Sequence, residues 1–193
     1  MKKIILASLL AFGLTSSAIA SEDGSGAYVG LGYGVTAYDN DGSTTNNDKL
    51  KDDSDAGYKV YAGYQFNKIA AVELSYTDYG TFTYENKGTI SPSTISLAAN
   101  VGYNFLDGQL RPFGLIGFSS LSMDETNPYL EIDEGVSVCY GVGIEYSPKV
   151  LQGLGFRAMW SVDAYSVEFI NSGNSEDNTE LLGMFSAAVQ YKF

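Results

Sequence analysis

The chain has 193 residues, 23 of them acidic and 11 basic, with a formal net charge of −12 at pH 7. So acidic a chain is a poor candidate for binding nucleic acid, because that binding depends on neutralising phosphates with Lys and Arg. Its one cysteine, Cys139, cannot form an intramolecular disulfide, and the chain has no histidine to activate that thiol. Aromatic residues and glycine are abundant, with 15 Tyr, 10 Phe and 22 Gly against 4 Pro, which favours many strands joined by turns.

The first twenty residues have the pattern of an export signal. Two lysines precede an apolar run over residues 4–14 and the small-residue site Ala18-Ile19-Ala20. The apolar run is shorter than the roughly 20 residues that a helix needs to cross a bilayer. We therefore expect cleavage after Ala20, which leaves residues 21–193 as a single domain.

Eight segments of that domain alternate between apolar residues and polar or small ones, which is the period of a strand with two different faces. The segment around residues 113–118, Phe-Gly-Leu-Ile-Gly-Phe, breaks the alternation and predicts a bulge or a stretch covered on both faces. The predicted strands cover residues 26–38, 57–66, 70–79, 94–105, 110–122, 135–146, 154–165 and 181–193.

The connections between these strands alternate between long and short. Each strand has about ten to thirteen residues, against the roughly 9–11 of a tilted membrane-spanning strand. An even number of strands with short turns on one side and long loops on the other is typical of an outer-membrane barrel. The sequence thus predicts an all-β fold, an eight-stranded antiparallel up-and-down transmembrane β-barrel. The predicted long loops are 39–56, 80–93, 123–134 and 166–180, and the short connections are 67–69, 106–109 and 148–153.

One face of the strands combines glycines with five charged residues. This mixture suits a narrow barrel interior that side chains fill, and it would make an unusual water-facing surface. A secreted, soluble, lipocalin-like ligand-binding barrel is the alternative, because both kinds of barrel have one apolar and one polar face. The predicted interior charges are Lys59, Glu73, Glu145, Arg157 and Asp163.

The other face carries aromatic residues near the short-turn ends of the strands, as in the girdle of a membrane barrel. We assign nine residues to this girdle: Tyr64, Phe66, Tyr103, Phe105, Phe113, Tyr146, Phe156, Tyr191 and Phe193.

Several segments resemble the OmpA/OmpX-type eight-stranded outer-membrane β-barrels. They are Val60-Tyr-Ala-Gly-Tyr-Gln-Phe66, Ala71-Val-Glu-Leu-Ser-Tyr-Thr-Asp-Tyr-Gly80, Leu110-Arg-Pro-Phe-Gly114 and the terminal Tyr191-Lys-Phe193. The resemblance implies the outer membrane of a Gram-negative bacterium, with membrane lipid and lipopolysaccharide as surroundings. It also implies that Tyr191 and Phe193 are read by the outer-membrane assembly machinery. Because the sequence ends at Phe193, we expect a stand-alone barrel without a periplasmic domain. We also expect the barrel to be a monomer.

Two of the interior charges are expected to meet. If the short connection pairs Tyr146 with Phe156, Glu145 lies directly opposite Arg157, with both pointing inward. The pair is either a gate in a narrow lumen or a structural ion pair, and we favour the latter because a lone buried charge is costly. Lys59 and Glu73 share the lumen, but their simplest hairpin register does not place them face to face.

Three of the four long loops are strongly acidic, with net charges of −4, −5 and −4 in chain order, while the loop 80–93 is neutral. This charge serves solubility, or it binds divalent cations that bridge to lipopolysaccharide or a partner, since clustered carboxylates suit Ca²⁺. Asp39 and Asp41, in Asp39-Asn-Asp-Gly42, form a fragment of a calcium loop. The sequence indicates no other metal site and no cofactor.

The sequence does not indicate an enzyme. Lipid A-modifying barrels of similar architecture use a histidine, which this chain lacks, and no activated Ser, Cys or Lys constellation is present. We expect a structural and surface-interaction role through the four extracellular loops, with an extracellular ligand that the loop sequences do not identify. A narrow pore for small solutes or ions is the alternative.

Overall fold

A computed structural model describes residues 24–40, 54–84, 88–125, 136–171 and 174–193. The predicted export signal, Asp41 and most of the acidic loops 39–56 and 123–134 lie outside these residues. Nearly all of the described chain is β-strand. No helix among the described residues is long and apolar enough to cross a membrane.

The strands form one antiparallel sheet that closes on itself. They are β1 (Gly26–Asn40), β2 (Ser54–Gln65), β3 (Ala70–Asp78), β4 (Phe82–Tyr84), β5 (Gly88–Gly102), β6 (Leu110–Glu125), β7 (Val136–Tyr146), β8 (Leu154–Asn171) and β9 (Asn174–Lys192). β1 pairs with β2 on one side and with β9 on the other, and β3 and β4 both pair with β5. β3 and β4 together make the third of eight barrel strands, so the predicted eight-stranded up-and-down barrel is confirmed.

The break between β3 and β4 lies at Gly80. Gly80 has a φ of +82°, a conformation that side chains disfavour, and the backbone N–H of Thr81 donates to the Asp55 carboxylate at 2.5 Å. The chain then resumes pairing with β5. The prediction of one loop over residues 80–93 was therefore wrong, because most of that segment belongs to β4 and to the first residues of β5.

The predicted loop 166–180 was also wrong. β8 and β9 stay paired from Leu154 opposite Tyr191 to Asn171 opposite Asn174. Among the described residues, β7 pairs with β8 as far as Ala164, and β1 pairs with β9 as far as Glu180. Residues 166–171 and 174–179 therefore form a two-stranded extension above the barrel wall, which we call the β8–β9 ribbon. Six residues of strand correspond to about 20 Å.

The outward face is apolar and the inward face is mostly polar, as the alternation predicts. Leu31, Tyr33 and Phe118 are all more than 60% exposed, whereas lysine, arginine and carboxylate side chains lie inside. This is the reverse of a soluble barrel, whose outer face must meet water. At the short-turn end, three outward pairs pack edge to face with centroids 5.0–5.4 Å apart: Tyr64 with Phe66, Tyr103 with Phe105, and Tyr191 with Phe193.

Two predictions about strand β6 were wrong. Its register with β5 and β7 is continuous over its length, so it contains no bulge. Its faces alternate strictly, and Phe113 points inward with 5% of its surface exposed. Phe113 is therefore not part of the membrane girdle. The sequence was ambiguous because β6 carries large apolar residues on both faces.

Candidate functional site: the filled barrel interior

All five predicted interior charges lie inside the barrel and are at most 8% exposed. Glu145 and Arg157 are direct partners in the β7–β8 register. Glu73 reaches the same Arg157 from across the lumen. Lys59 and Asp163 are buried as well, and Asp163 belongs to a separate group nearer the extracellular end.

Arg157 is the centre of an ion network. Its Nη1 donates to both Glu73 oxygens, at 3.0 and 2.8 Å, and its Nη2 donates to Glu145 Oε1 at 2.7 Å. Arg111 Nη1 donates to the other Glu145 oxygen at 3.4 Å. Two guanidinium groups thus alternate with two carboxylates, which compensates charges that are costly to bury alone.

Aromatic rings surround the Arg157 guanidinium. Its carbon lies 4.1 Å from the ring centre of Tyr61, 4.8 Å from that of Phe113 and 5.6 Å from that of Tyr28. The ring faces attract the cation, and the Tyr28 hydroxyl donates to Glu73 at 2.9 Å. Arg157 is therefore fixed by rings on its faces and carboxylates on its edge.

Inward glycines make room for these large side chains. Gly63 pairs with Tyr28, and Gly30 pairs with Tyr61. A Cβ at Gly63 would lie 2.4 Å from the Tyr28 ring and 2.6 Å from the Val72 carbonyl oxygen, well inside van der Waals contact. The eight-stranded interior is narrow, so each large ring requires a residue without a side chain opposite it.

Asp163 organises the upper part of the lumen. It accepts hydrogen bonds from Tyr79, Ser119 and Thr94, while Ser119 also bonds Ser137 at 2.7 Å. Lys59 lies in the same lumen, with Glu73 and Asp163 as the carboxylates that act on it electrostatically. Lys59 pairs with Thr77, which pairs in turn with Thr94, so both predicted charges lie in a hydroxyl-rich layer.

An apolar cluster closes the extracellular end of the lumen above Asp163. Four of its side chains are at most 1% exposed, so solvent scarcely reaches them. Tyr79 joins this cluster to the hydroxyl-rich layer through its bond to Asp163. The cluster, which we call the apolar plug, consists of Tyr79, Phe82, Ile90, Leu121, Tyr165, Leu182 and Met184.

The periplasmic end of the lumen holds a polar cavity of about 120 Å³. Arg111, Glu145, Gln190 and Lys192 are among its lining residues. The Lys192 ammonium donates to the Gly24 carbonyl and, at 2.8 Å, to Gln65. These contacts place Lys192 at the periplasmic rim of the barrel.

The sequence reasoning missed four interior residues: Arg111, Tyr28, Tyr61 and Phe113. Tyr28 and Tyr61 lie on the glycine-bearing face, so the pairing of an inward aromatic residue with an inward glycine was a readable signal. Arg111 and Phe113 fall in β6, where the phase of the alternation was ambiguous.

The predicted calcium fragment cannot be located fully, because Asp41 lies outside the described residues. Asp39 pairs with Leu181 in the β1–β9 ladder. Within the described ranges, no group of three or more His, Cys, Asp or Glu residues could hold a metal ion. Calcium binding by Asp39 and Asp41 stays a prediction.

Known proteins share this architecture. The family model described as "Outer membrane protein beta-barrel domain" matches residues 4–193. Outer membrane protein A of Yersinia pseudotuberculosis is 27% identical over 206 residues, covering 100% of this chain and 56% of that protein. The chain thus spans little more than half the length of this relative.

Solved structures share the fold at low identity. Neisserial surface protein A has a TM-score of 0.54 and 18% identity, covering 88% of this chain and 99% of that one. Ail of Yersinia pestis, in complex with the heparin analogue sucrose octasulfate, has a TM-score of 0.52 and 16% identity, covering 86% and 99%. With the closed barrel, the polar interior and the family match over residues 4–193, the chain belongs to the outer membrane protein β-barrel family, among the small eight-stranded barrels of the OmpA type.

Proposed function

We propose that this outer-membrane barrel has a structural and surface-interaction role, carried out by its extracellular loops, and that it does not conduct solutes. The observation that carries the proposal is the filled lumen. The Glu73–Arg157–Glu145–Arg111 network crosses the lower lumen, and the apolar plug occupies the upper end. Eight-stranded barrels have an interior just wide enough for side chains to fill, which agrees with this arrangement.

The β8–β9 ribbon supports a role in surface interaction. Its outer residues pair with each other, and we propose that an extended segment of a partner adds to this ribbon as a further strand. The predicted loop that contains it has a net charge of −4. Like charges oppose pairing between two copies, and they favour a partner with a basic extended segment.

The acidic loops also narrow the class of ligand. Ail was crystallised with sucrose octasulfate, a polyanion. Three acidic loops on this chain would repel such a ligand, so the shared fold does not carry over that specificity. A cationic partner, or divalent cations that bridge to lipopolysaccharide, fits the charge.

We further propose that the barrel reaches the membrane by export and then assembly. Residues 1–20 serve as a cleaved export signal, and Tyr191 and Phe193 are read by the assembly machinery. The mature barrel, residues 21–193, then stands as a monomer among lipids and lipopolysaccharide of a Gram-negative outer membrane. No catalytic role is proposed.

Planar-bilayer recording distinguishes the surface role from the pore. We expect the purified barrel to give no steady conductance, because the ion network and the apolar plug both obstruct the lumen. Leu182→Ser tests the plug and Glu145→Ala tests the network. Steady conductance of the unmodified barrel that changes in Glu145→Ala would favour the narrow pore and refute the proposed closed lumen.

A further inference from the structure

The outer wall of the barrel carries a groove that crosses four neighbouring strands, β1, β9, β8 and β7. Its volume is about 560 Å³, within the roughly 300–1,000 Å³ of ligand-binding pockets. The outward-facing side chains that line it are all uncharged, and they are Leu31, Tyr33, Ile144, Tyr146, Phe156, Ala158, Ala187 and Val189. The groove faces the membrane and is therefore separate from the filled lumen.

Two alanines form the floor of this groove. Ala158 and Ala187 are direct partners in the β8–β9 ladder, with Tyr33 paired on one side and Ile144 on the other. The outward row nearer the short turns is Leu31, Val189, Phe156 and Tyr146. The outward row nearer the loops is Val35, Phe185, Trp160 and Val142. Larger side chains therefore surround the two alanines, which makes the groove a bounded depression in the wall.

The groove lies in the half of the wall nearer the short turns. Ala187 is four residues before Tyr191, whose ring packs on Phe193 in the aromatic girdle at that end. Four residues of strand span about 13 Å. A strand tilted by about 40° rises about 10 Å over that length, whereas the apolar band of such a barrel is about 25 Å tall. A molecule in the groove is thus reached from the periplasmic leaflet.

The depth and shape of the groove indicate what fills it. Hydrocarbon surrounds the wall at this height, and an apolar groove offers water no polar partner. A gap beside the wall would forfeit dispersion contacts. The side chains of Leu31 and Tyr33, 61% and 67% exposed, stand out beside the floor and would hold the convex wall of a second barrel away from the alanines. A hydrocarbon chain is narrow enough to pass between them.

We propose that this groove binds one acyl chain of a phospholipid from the periplasmic leaflet. The chain lies on Ala158 and Ala187 and packs against the rings of Tyr33 and Phe156, while the headgroup stays at the level of the girdle. Because the lining is uncharged, the site recognises the chain and not the headgroup. The site is independent of the extracellular surface role.

Native mass spectrometry tests the site on the barrel extracted from outer membranes into detergent. We expect the unmodified barrel to retain one phospholipid. Ala187→Leu fills the floor of the groove and should abolish this one-to-one species. Ala99→Leu is the matched control, because Ala99 is an outward-facing, exposed alanine on β5 opposite Ile116 and outside the groove. It should retain the lipid.

Tryptophan fluorescence gives a second measurement in a bilayer. Trp160 is the only tryptophan in the sequence, is 48% exposed and borders the floor of the groove. In bilayers that contain a phospholipid brominated on its acyl chains, quenching of Trp160 should be weaker in Ala187→Leu than in Ala99→Leu at the same lipid composition. Heat-dependent gel mobility confirms that both variants are folded.

Three results would overturn the proposed site. The first is the absence of a one-to-one phospholipid species from the unmodified barrel, or equal retention and equal quenching in Ala187→Leu and Ala99→Leu. The second is retention of lipopolysaccharide in place of a phospholipid, which would contradict the periplasmic leaflet. The third is a dimer that Ala187→Leu abolishes, which would assign the groove to a second copy of the chain.

Discussion

At the scale of the residue, Arg157 contacts more side chains in the lumen than any of the other four predicted interior charges. It bonds Glu73 and Glu145 on its edge and contacts the rings of Tyr61 and Phe113 on its faces. Glu73 and Arg157 are 84 residues apart in sequence. The network therefore ties the third barrel strand to the sixth and seventh directly through the lumen.

Arg157→Ala is expected to destabilise the barrel strongly. Removing the guanidinium takes the shared partner away from two buried carboxylates, Glu73 and Glu145, and breaking a buried pair costs about 3–5 kcal/mol. Thermal unfolding, followed by the mobility of folded and unfolded forms on gels, measures the effect. Lys149→Ala breaks only the exposed pair with Asp107 and should leave the melting temperature nearly unchanged. An unaltered melting temperature in Arg157→Ala would contradict the structural role of the network.

Gly63→Ala is expected to destabilise the barrel through packing alone. The added Cβ would lie 2.4 Å from the Tyr28 ring and 2.6 Å from the rigid Val72 carbonyl, and overpacking of this kind typically costs about 1–3 kcal/mol. Gly114→Ala is the control, because a Cβ there meets only the Gly141 carbonyl at 3.9 Å. Equal melting temperatures for the two variants would show that the lumen can yield to the extra methyl group.

At the scale of the element, β6 and β9 show that the neighbouring strands determine which side chains of a strand point inward and how far the strand stays paired. β6 presents Phe113 and Leu115 inward and Ile116 and Phe118 outward, so apolar residues lie on both faces. β9 pairs with β8 along its whole length and with β1 as far as Glu180. It therefore closes the barrel and also forms half of the β8–β9 ribbon.

Deletion of Phe193 is expected to impair insertion into the outer membrane while leaving export intact. Its ring packs on Tyr191 at 5.0 Å, and its backbone N–H donates to Ala27 at 2.9 Å. Membrane fractionation and heat-dependent gel mobility measure insertion. Phe105→Ala removes another girdle ring, half exposed and packed on Tyr103, and should insert normally. Normal insertion of the Phe193 deletion would refute the assembly signal.

At the scale of the whole molecule, charge is divided unevenly between the two ends of the barrel. The loop segments are acidic, whereas Arg111 and Lys192 lie at the periplasmic cavity. The outer wall between the ends carries exposed apolar side chains that match hydrocarbon. The molecule therefore carries acidic loop segments at one end and two basic side chains, Arg111 and Lys192, near the other.

Binding to a cationic partner is expected to depend on salt and on the ribbon. Association of the purified barrel with an oligolysine peptide, measured by calorimetry, should weaken as ionic strength rises because exposed charges are screened. Glu176→Gln combined with Asp177→Asn should weaken it further. Asp107→Asn, which removes an acidic charge from a periplasmic turn, should have no effect. Equal binding to oligolysine and oligoglutamate would argue against charge-directed recognition.

The sequence by itself determined the number of strands, the end of the barrel that carries the short turns and whether most side chains point inward or outward. It could do so because the two-residue period of a strand is a local property. It also placed Glu145 opposite Arg157, since a short hairpin fixes its own register. Only the tertiary structure decided that Glu73 joins Arg157, that Phe113 points inward and that Tyr79, Phe82 and Leu182 close the lumen. Those contacts depend on barrel closure and strand stagger, which bring together strands far apart in sequence. The β8–β9 ribbon was missed for a related reason: its polar residues indicate a loop, while continued backbone pairing between neighbouring strands holds them in a sheet.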